Sequence, residues 1–219
     1  MINLQNVTLP VYTKGEEIFN AVSHGIGLPM GILFAVLCAT KAGQTNSVVG
    51  SLIFAVSVMV LYTCSALYHS LKRSDAKKIM RLLDHSTIFI LITGTSIAMT
   101  VICVYPFNKT LAVCMSVLSF VLSTVGVSLT FIDQEKYKRV QMILYFVVGG
   151  ITVFIAYPVY KNCDDALTLL ALAVIGGLVY SIGTVFYVVG KKKKYFHCIF
   201  HIFVLCGTLL HFLAIYKAI

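Results

Sequence analysis

The residues best able to do chemistry in this chain are histidines in places where histidine is costly. There are six, at 24, 69, 85, 197, 201 and 211, and every one lies inside or at the edge of an apolar run. An ionisable group inside a membrane span marks function by default, because hydrocarbon does not solvate it. His197 and His201 are four residues apart, so on a helix they share a face about 6 Å apart along the axis. That spacing lets two imidazoles hold one metal ion. Ser65 and His69 repeat it on an earlier segment, and Asp84, in Leu83-Asp84-His85-Ser86, is the one carboxylate set in or against a span.

The elements that must carry these residues are membrane helices. The chain has 219 residues, 59% hydrophobic and only 11% charged, with a mean hydropathy of +0.93. An average soluble domain is about 25% charged. The composition excludes an ordinary soluble enzyme, a disordered chain and a nucleic-acid-binding domain, so no nucleic acid partner is expected. The net charge of +9 belongs to membrane topology and anionic headgroups. About 20 apolar residues cross the hydrocarbon layer, and seven such runs stand out, at 19–40, 48–71, 84–104, 111–131, 141–160, 166–189 and 198–217. The runs are continuous, which excludes an alternating β-barrel. The expected fold is an all-α integral membrane bundle of seven helices in one domain, 1–219, multi-pass in the cell membrane. No cleavable signal peptide, lipidation motif or disulfide framework is expected.

Lysine and arginine set the orientation. Of the 17 basic residues only Lys41, Lys109, Lys161 and Lys217 fall on one side; the rest, including Lys191–Lys194, fall on the other. The N-terminus is therefore expected in the cytoplasm and the C-terminus outside. This is the reverse of rhodopsin-like proteins. A retinal protein would also need a lysine deep in its last helix, and Lys217 is at the end. Gly27 and Gly31, around Pro29, form a GxxxG with an expected kink, and Gly149–Gly150 and Gly176–Gly177 are expected to admit close helix approach. Tyr12, Tyr68, Tyr105, Tyr137, Tyr160 and Tyr216 stand near span ends as an interfacial belt.

This topology places His24, His69, Asp84, His197 and His201 at one depth near the cytoplasmic face. Three neutral imidazoles with one open position are the composition of a catalytic zinc site. His69, His197 and His201 are the expected Zn2+ ligands, Asp84 the water-holding general base, and Ser65, a turn deeper, a donor to a developing oxyanion. His24, with Asn20 four residues before it, is either a support behind the ligands or a spare ligand. His211 lies about 15 Å beyond His201 along the helix, and a buried hydrogen-bonding role fits it. His85, about 100° around the helix from Asp84, is expected to face away.

The chain resembles the haemolysin III family, the bacterial branch of the progestin and adipoQ receptor proteins. The resemblance rests on Glu17-Ile18-Phe19-Asn20 with Ser23-His24-Gly25-Ile26-Gly27, then Ser65-Ala66-Leu67-Tyr68-His69, Leu83-Asp84-His85-Ser86, His197-Cys198-Ile199-Phe200-His201 and His211-Phe212. It implies seven helices, an inside N-terminus, and zinc held by residues matching His69, His197 and His201, with Ser65 and Asp84 matching water-associated positions. It also implies kinship with alkaline ceramidases, which hydrolyse a lipid amide. After Gly94-Thr95 the family tends to carry an aromatic and a proline, where this chain reads Ser96-Ile97-Ala98-Met99. Together these readings favour a zinc-dependent hydrolase acting on a membrane lipid, in membrane lipid homeostasis, with the acyl tail lying between helices. The alternative is a lipid or membrane-fluidity sensor with structural zinc. A haemolysin-like pore former fits poorly with seven anchored spans.

Overall fold

Capping chemistry starts the first helix. The Thr13 side chain accepts the Glu16 N–H, and the Glu16 carboxylate accepts the Thr13 N–H in return, a reciprocal capping box. The computed structural model describes residues 4–190 and 193–219, and Lys191 and Lys192 of the basic cluster lie outside them. Its helices are α1 (Lys14–Gly25), α2 (Gly27–Lys41), α3 (Thr45–Ser70), α4 (Asp75–Cys103), α5 (Lys109–Phe154), α6 (Ala156–Asn162), α7 (Ala166–Gly190) and α8 (Phe196–Ala218). A short 3-10 turn over Leu4–Asn6 precedes them, and there is no strand among the described residues. Among the described residues six helical stretches are long and apolar enough to cross a membrane, α1 with α2 counting as one and α5 with α6 as another.

Proline accounts for two interruptions. Pro29 has no N–H to give the Gly25 carbonyl, and the helix breaks at Ile26. Pro158 likewise cannot serve Phe154, and the break falls at Ile155. A third break has a different cause. Asp133, inside α5, is non-helical (φ −165°, ψ 96°). Its carboxylate accepts the Lys136 N–H at 2.9 Å, so it caps a fresh helix. The runs at 111–131 and 141–160 are thus joined by helix restarted at Asp133, where the sequence suggested a loop. The run assigned to 84–104 begins earlier, at Asp75, behind a Ser74 cap. Asp84 therefore sits inside α4, nine residues from its start. Through Ser96-Ile97-Ala98-Met99, where the sequence departs from the family's habit, α4 runs unbroken.

α4 is the centre of the bundle. Of its most apolar stretch 72% is buried, against 17% for α7. It packs between α3 and α5, while α7 rests on α8, and α1 lies against both α3 and α8. The Thr208 hydroxyl donates to the Val204 carbonyl at 2.9 Å, so it accepts from Tyr62 and Tyr180, each at 2.7 Å. Three helices are thereby tied in a region where water offers no competing partner. At one end of the bundle stand His24, His69, His85, His197 and His201. At the other, Lys41 Nζ donates to the Tyr216 carbonyl and Lys217 pairs with Asp165 at 2.6 Å.

The glycine expectations divide. Gly27 faces the buried Tyr62 ring, and Gly176 faces His211, so both allow close approach. Gly150 and Gly177 face open space, and Gly149 has only an ordinary contact with Ile92, so those two pairs do not act as units. The tyrosine belt also needs correction: Tyr68 is 2% exposed, and Tyr12 stacks on His197. Both belong to the histidine end's interior.

A methyl group at Gly27 would overlap the Tyr62 ring, which is held by its bond to Thr208. We expect Gly27→Ala to cost about 1–3 kcal/mol, read as a lower thermal midpoint in detergent. Gly150→Ala, into open space, should leave the midpoint unchanged. Equal midpoints for the two variants would refute the packing account.

Candidate metal centre

Two helix ends deliver the ligands. His69 is the next-to-last residue of α3, and His197 and His201 lie on the first turns of α8. The start of α8 is fixed from outside itself. Tyr195 precedes it in the left-handed region (φ 64°), a costly conformation for a bulky residue. Its N–H donates to Glu16 Oε1 at 2.6 Å. The carboxylate that caps α1 therefore also anchors the turn that aims His197.

His69, His197 and His201 are all buried, and one ring nitrogen from each lies within 4.8 Å of the others. The Nε2 atoms of His197 and His201 are 3.2 Å apart. With Zn–N bonds near 2.0–2.1 Å, tetrahedral neighbours stand about 3.3 Å apart. The tautomers agree with such a centre. His69 Nδ1–H donates to Glu17 Oε2 at 2.7 Å, which leaves its buried Nε2, without a hydrogen-bond partner, carrying the lone pair. Ser23 Oγ spends its proton on the Asn20 carbonyl at 3.1 Å. It therefore faces His201 Nδ1, at 3.4 Å, as an acceptor, and His201 Nε2 is left with its lone pair too. These three residues could hold a metal ion.

Sequence reasoning gave no role to Glu17 or Lys77. Glu17 bridges the two groups, taking His69 on one oxygen and Lys77 Nζ at 2.6 Å on the other. Lys77, 2% exposed, also donates to the Leu71 carbonyl at the end of α3. A carboxylate behind a ligating imidazole fixes ring orientation and raises basicity. The signal was present: Glu17, Asn20 and His24 recur at helical spacing on one face of α1.

The other named residues divide around this centre. A cavity of about 30 Å³ is lined by Ser65, Asp84, His24, His197 and His201 among others. Ser65 and Asp84 come to it from α3 and α4. His24 lies outside the three-ligand group. It stacks face to face on His201, ring centres 3.7 Å apart, with its edge to Tyr62. Both its ring nitrogens, and both amide atoms of fully buried Asn20, make no hydrogen bond. His211 is elsewhere, donating from Nε2 to the Ala173 carbonyl at 3.1 Å. His85 contradicts expectation by lining the cavity. Its ring reaches back along α4 to the Arg81 carbonyl and across to the Tyr187 hydroxyl, each at 3.0 Å, which brings it within 3.6 Å of Asp84.

A strap of residues 4–13 crosses this end of the bundle. Arg73 donates to the carbonyls of Pro10 and Leu9. Thr8 donates to Glu135, which also pairs with Arg81, and Asn6 donates to Asp133 at the break in α5. The strap lays Tyr12 on His197, ring centres 5.0 Å apart and 21° from parallel. Burial pushes the Tyr12 hydroxyl well above its usual range, so the ring over the ligands is neutral.

A multi-pass membrane bundle with a buried histidine triad at one end is the class that fold and site define. The chain matches the haemolysin-III related family over residues 12–212, and it belongs to that family. It is 33% identical over 201 residues to the hemolysin-3 homolog of Bacillus subtilis (strain 168), covering 90% of this chain and 92% of that one. It is 30% identical over 204 residues to hemolysin-3 of Bacillus cereus, covering 91% and 90%. A shorter match, 33% over 92 residues, covers 42% of this chain and 37% of the human monocyte to macrophage differentiation factor.

His197→Ala and His201→Ala should each lose the bound ion when purified protein is assayed by elemental mass spectrometry. Metal content equal to wild type would defeat the triad. Glu17→Gln should keep the ion but weaken it about 10–100-fold in competition with a chromogenic chelator.

Proposed function

We propose that this protein is a zinc-dependent hydrolase of an amide or ester bond in a membrane lipid. The observation that carries the proposal is a three-histidine triad two of whose members, His197 and His201, share one cavity with Ser65 and Asp84. Zinc held by His69, His197 and His201 would supply a Lewis acid and lower the pKa of a coordinated water. Asp84 is the group placed to take a proton from a nucleophilic water. It lines the same cavity as Ser65, His197 and His201. His24 offers an imidazole N–H that nothing in the protein uses, suited to a scissile carbonyl. Glu17 holds the His69 ring, and Tyr12 keeps bulk water off His197. Leu61, Ile88 and Val204 line the cavity's apolar side, which suits approach by an acyl chain from the bilayer.

The proposed topology is seven crossings with the N-terminus in the cytoplasm and the C-terminus outside. A 46-residue α5 would measure about 69 Å at 1.5 Å per residue, about twice the hydrocarbon thickness. The Asp133 break, with Glu135, Lys136, Lys138 and Arg139 following it, divides α5 into two crossings. The positive-inside bias then puts the histidine end at the inner leaflet.

A second reading is a lipid or fluidity sensor with structural zinc. The size of the cavity favours it, since about 30 Å³ is room for only a water or two, one water needing about 10–15 Å³, and a lipid carbonyl would need the site to open.

Asp84→Asn separates the two readings. Under hydrolysis it retains zinc and lowers turnover of fluorescent ceramide or acyl-lipid substrates at least about 100-fold, the low end of general-base effects. Under sensing it retains zinc and leaves the membrane-fluidity response intact. No zinc-dependent turnover by wild type on any lipid of such a panel would sink the hydrolase reading.

A further inference from the structure

The end of the bundle away from the histidines carries a thiol pair that the metal chemistry does not use. Cys103 is the last residue of α4 and Cys163 follows α6 in the turn to α7. Sixty residues separate them, yet the Cys163 Sγ–H donates to the Cys103 carbonyl at 3.7 Å. Cys103 is 1% exposed and part of the central apolar cluster, and half-buried Cys163 packs on that cluster. The neighbouring Cys103 thiol holds the Cys163 thiol below its usual range, and the lower-pKa thiol is the better source of thiolate for exchange.

The surroundings give the pair a mechanical meaning. α7 rests on α8 and α6 and makes little direct contact with α4. The turn before α7 is held to α8 by the exposed ion pair of Asp165 with Lys217, and exposed pairs contribute little. A link from Cys103 to Cys163 would fasten this turn to the most buried helix of the protein. In the proposed topology it faces the outer, oxidising side, where disulfides persist.

We propose that Cys103 and Cys163 are a redox-modifiable pair that closes to a disulfide at the outer end of the bundle. The partially exposed Cys163 thiolate attacks one sulfur of an external disulfide, releasing one thiolate and forming a mixed disulfide. The Cys103 thiol loses its proton to solvent, and its sulfur attacks Cys163 Sγ and expels the second thiolate. The two protein thiols thus give up two protons and two electrons, and the external disulfide is reduced to two thiols. The oxidant is a small-molecule or protein disulfide outside the cell.

The outward placement rests on the proposed topology, so the test keeps pair and placement apart. Full-length protein in intact cells is treated with impermeant oxidised glutathione, acid-quenched, denatured and alkylated with a maleimide mass tag, with and without prior reduction. Wild type should show two more reactive thiols after reduction. Cys163→Ser should show no reduction-dependent change, and Cys103→Ser a gain of one at most, from the unresolved glutathione adduct of Cys163. The oxidised wild type, purified, should have a higher thermal midpoint than its reduced form, and this gap should vanish in either variant. Full thiol reactivity in wild type before reduction, or a reduction-dependent gain of two that survives Cys163→Ser, overturns the pair. In Cys103→Ser cells, Cys163 should react with an impermeant maleimide before permeabilisation. Reaction only afterwards overturns the outward placement, and with it oxidation in the cell.

Discussion

Imidazole nitrogens gathered where water cannot reach them need a common partner, and the histidine end of this protein is built around that constraint. Hydrogen bonds to Glu17 and Ser23 place the protons of His69 and His201 on Nδ1. The two Nε2 atoms of α8 then meet at 3.2 Å. Burial keeps water from these nitrogens, and packing denies the rings their freedom. A cation at the centre would give all three rings one partner. The capping box of α1, the strained turn at Tyr195 and the Lys77–Glu17 pair all serve to hold that convergence.

The rest of the bundle distributes rigidity around it. α4 presents Asp84 at one end and Cys103 at the other, with most of its surface covered between. A long, continuous, buried helix is a poor hinge. α1 is different, since its break at Ile26 lies two residues beyond His24. Movement that opens the small cavity has its natural seat there, in the α1–α2 joint and the strap, rather than in α4. Both catalytic and sensory readings require such movement.

Composition and spacing revealed much of this architecture because membrane insertion leaves few choices. Backbone groups in lipid must bond internally, so each apolar run had to be helical. The histidine triad was legible for the same reason: polar groups in lipid are rare enough that their spacing carries information. What stayed hidden depended on side-chain reach. Whether His85 turns toward Asp84 or away follows from its bonds to Arg81 and Tyr187 on a distant helix. Glu17 looked like one more polar residue ahead of a span until tertiary packing set His69 beside it. The continuity of α5 was masked because charged residues 133–139 read as a loop, while Asp133 caps them into helix.

The strap over His197 bears on the order of assembly. Residues 4–13 precede all their docking partners in the chain: Arg73, Arg81 and Glu135 come later, and His197 later still. Tyr12 has nothing to stack on until α8 is in place. The covering is therefore a final event, completed only when both halves of the triad are present. An ion captured before that closure would be held by a kinetic latch as well as by its bonds, and its exchange would wait on the strap peeling from α4 and α5.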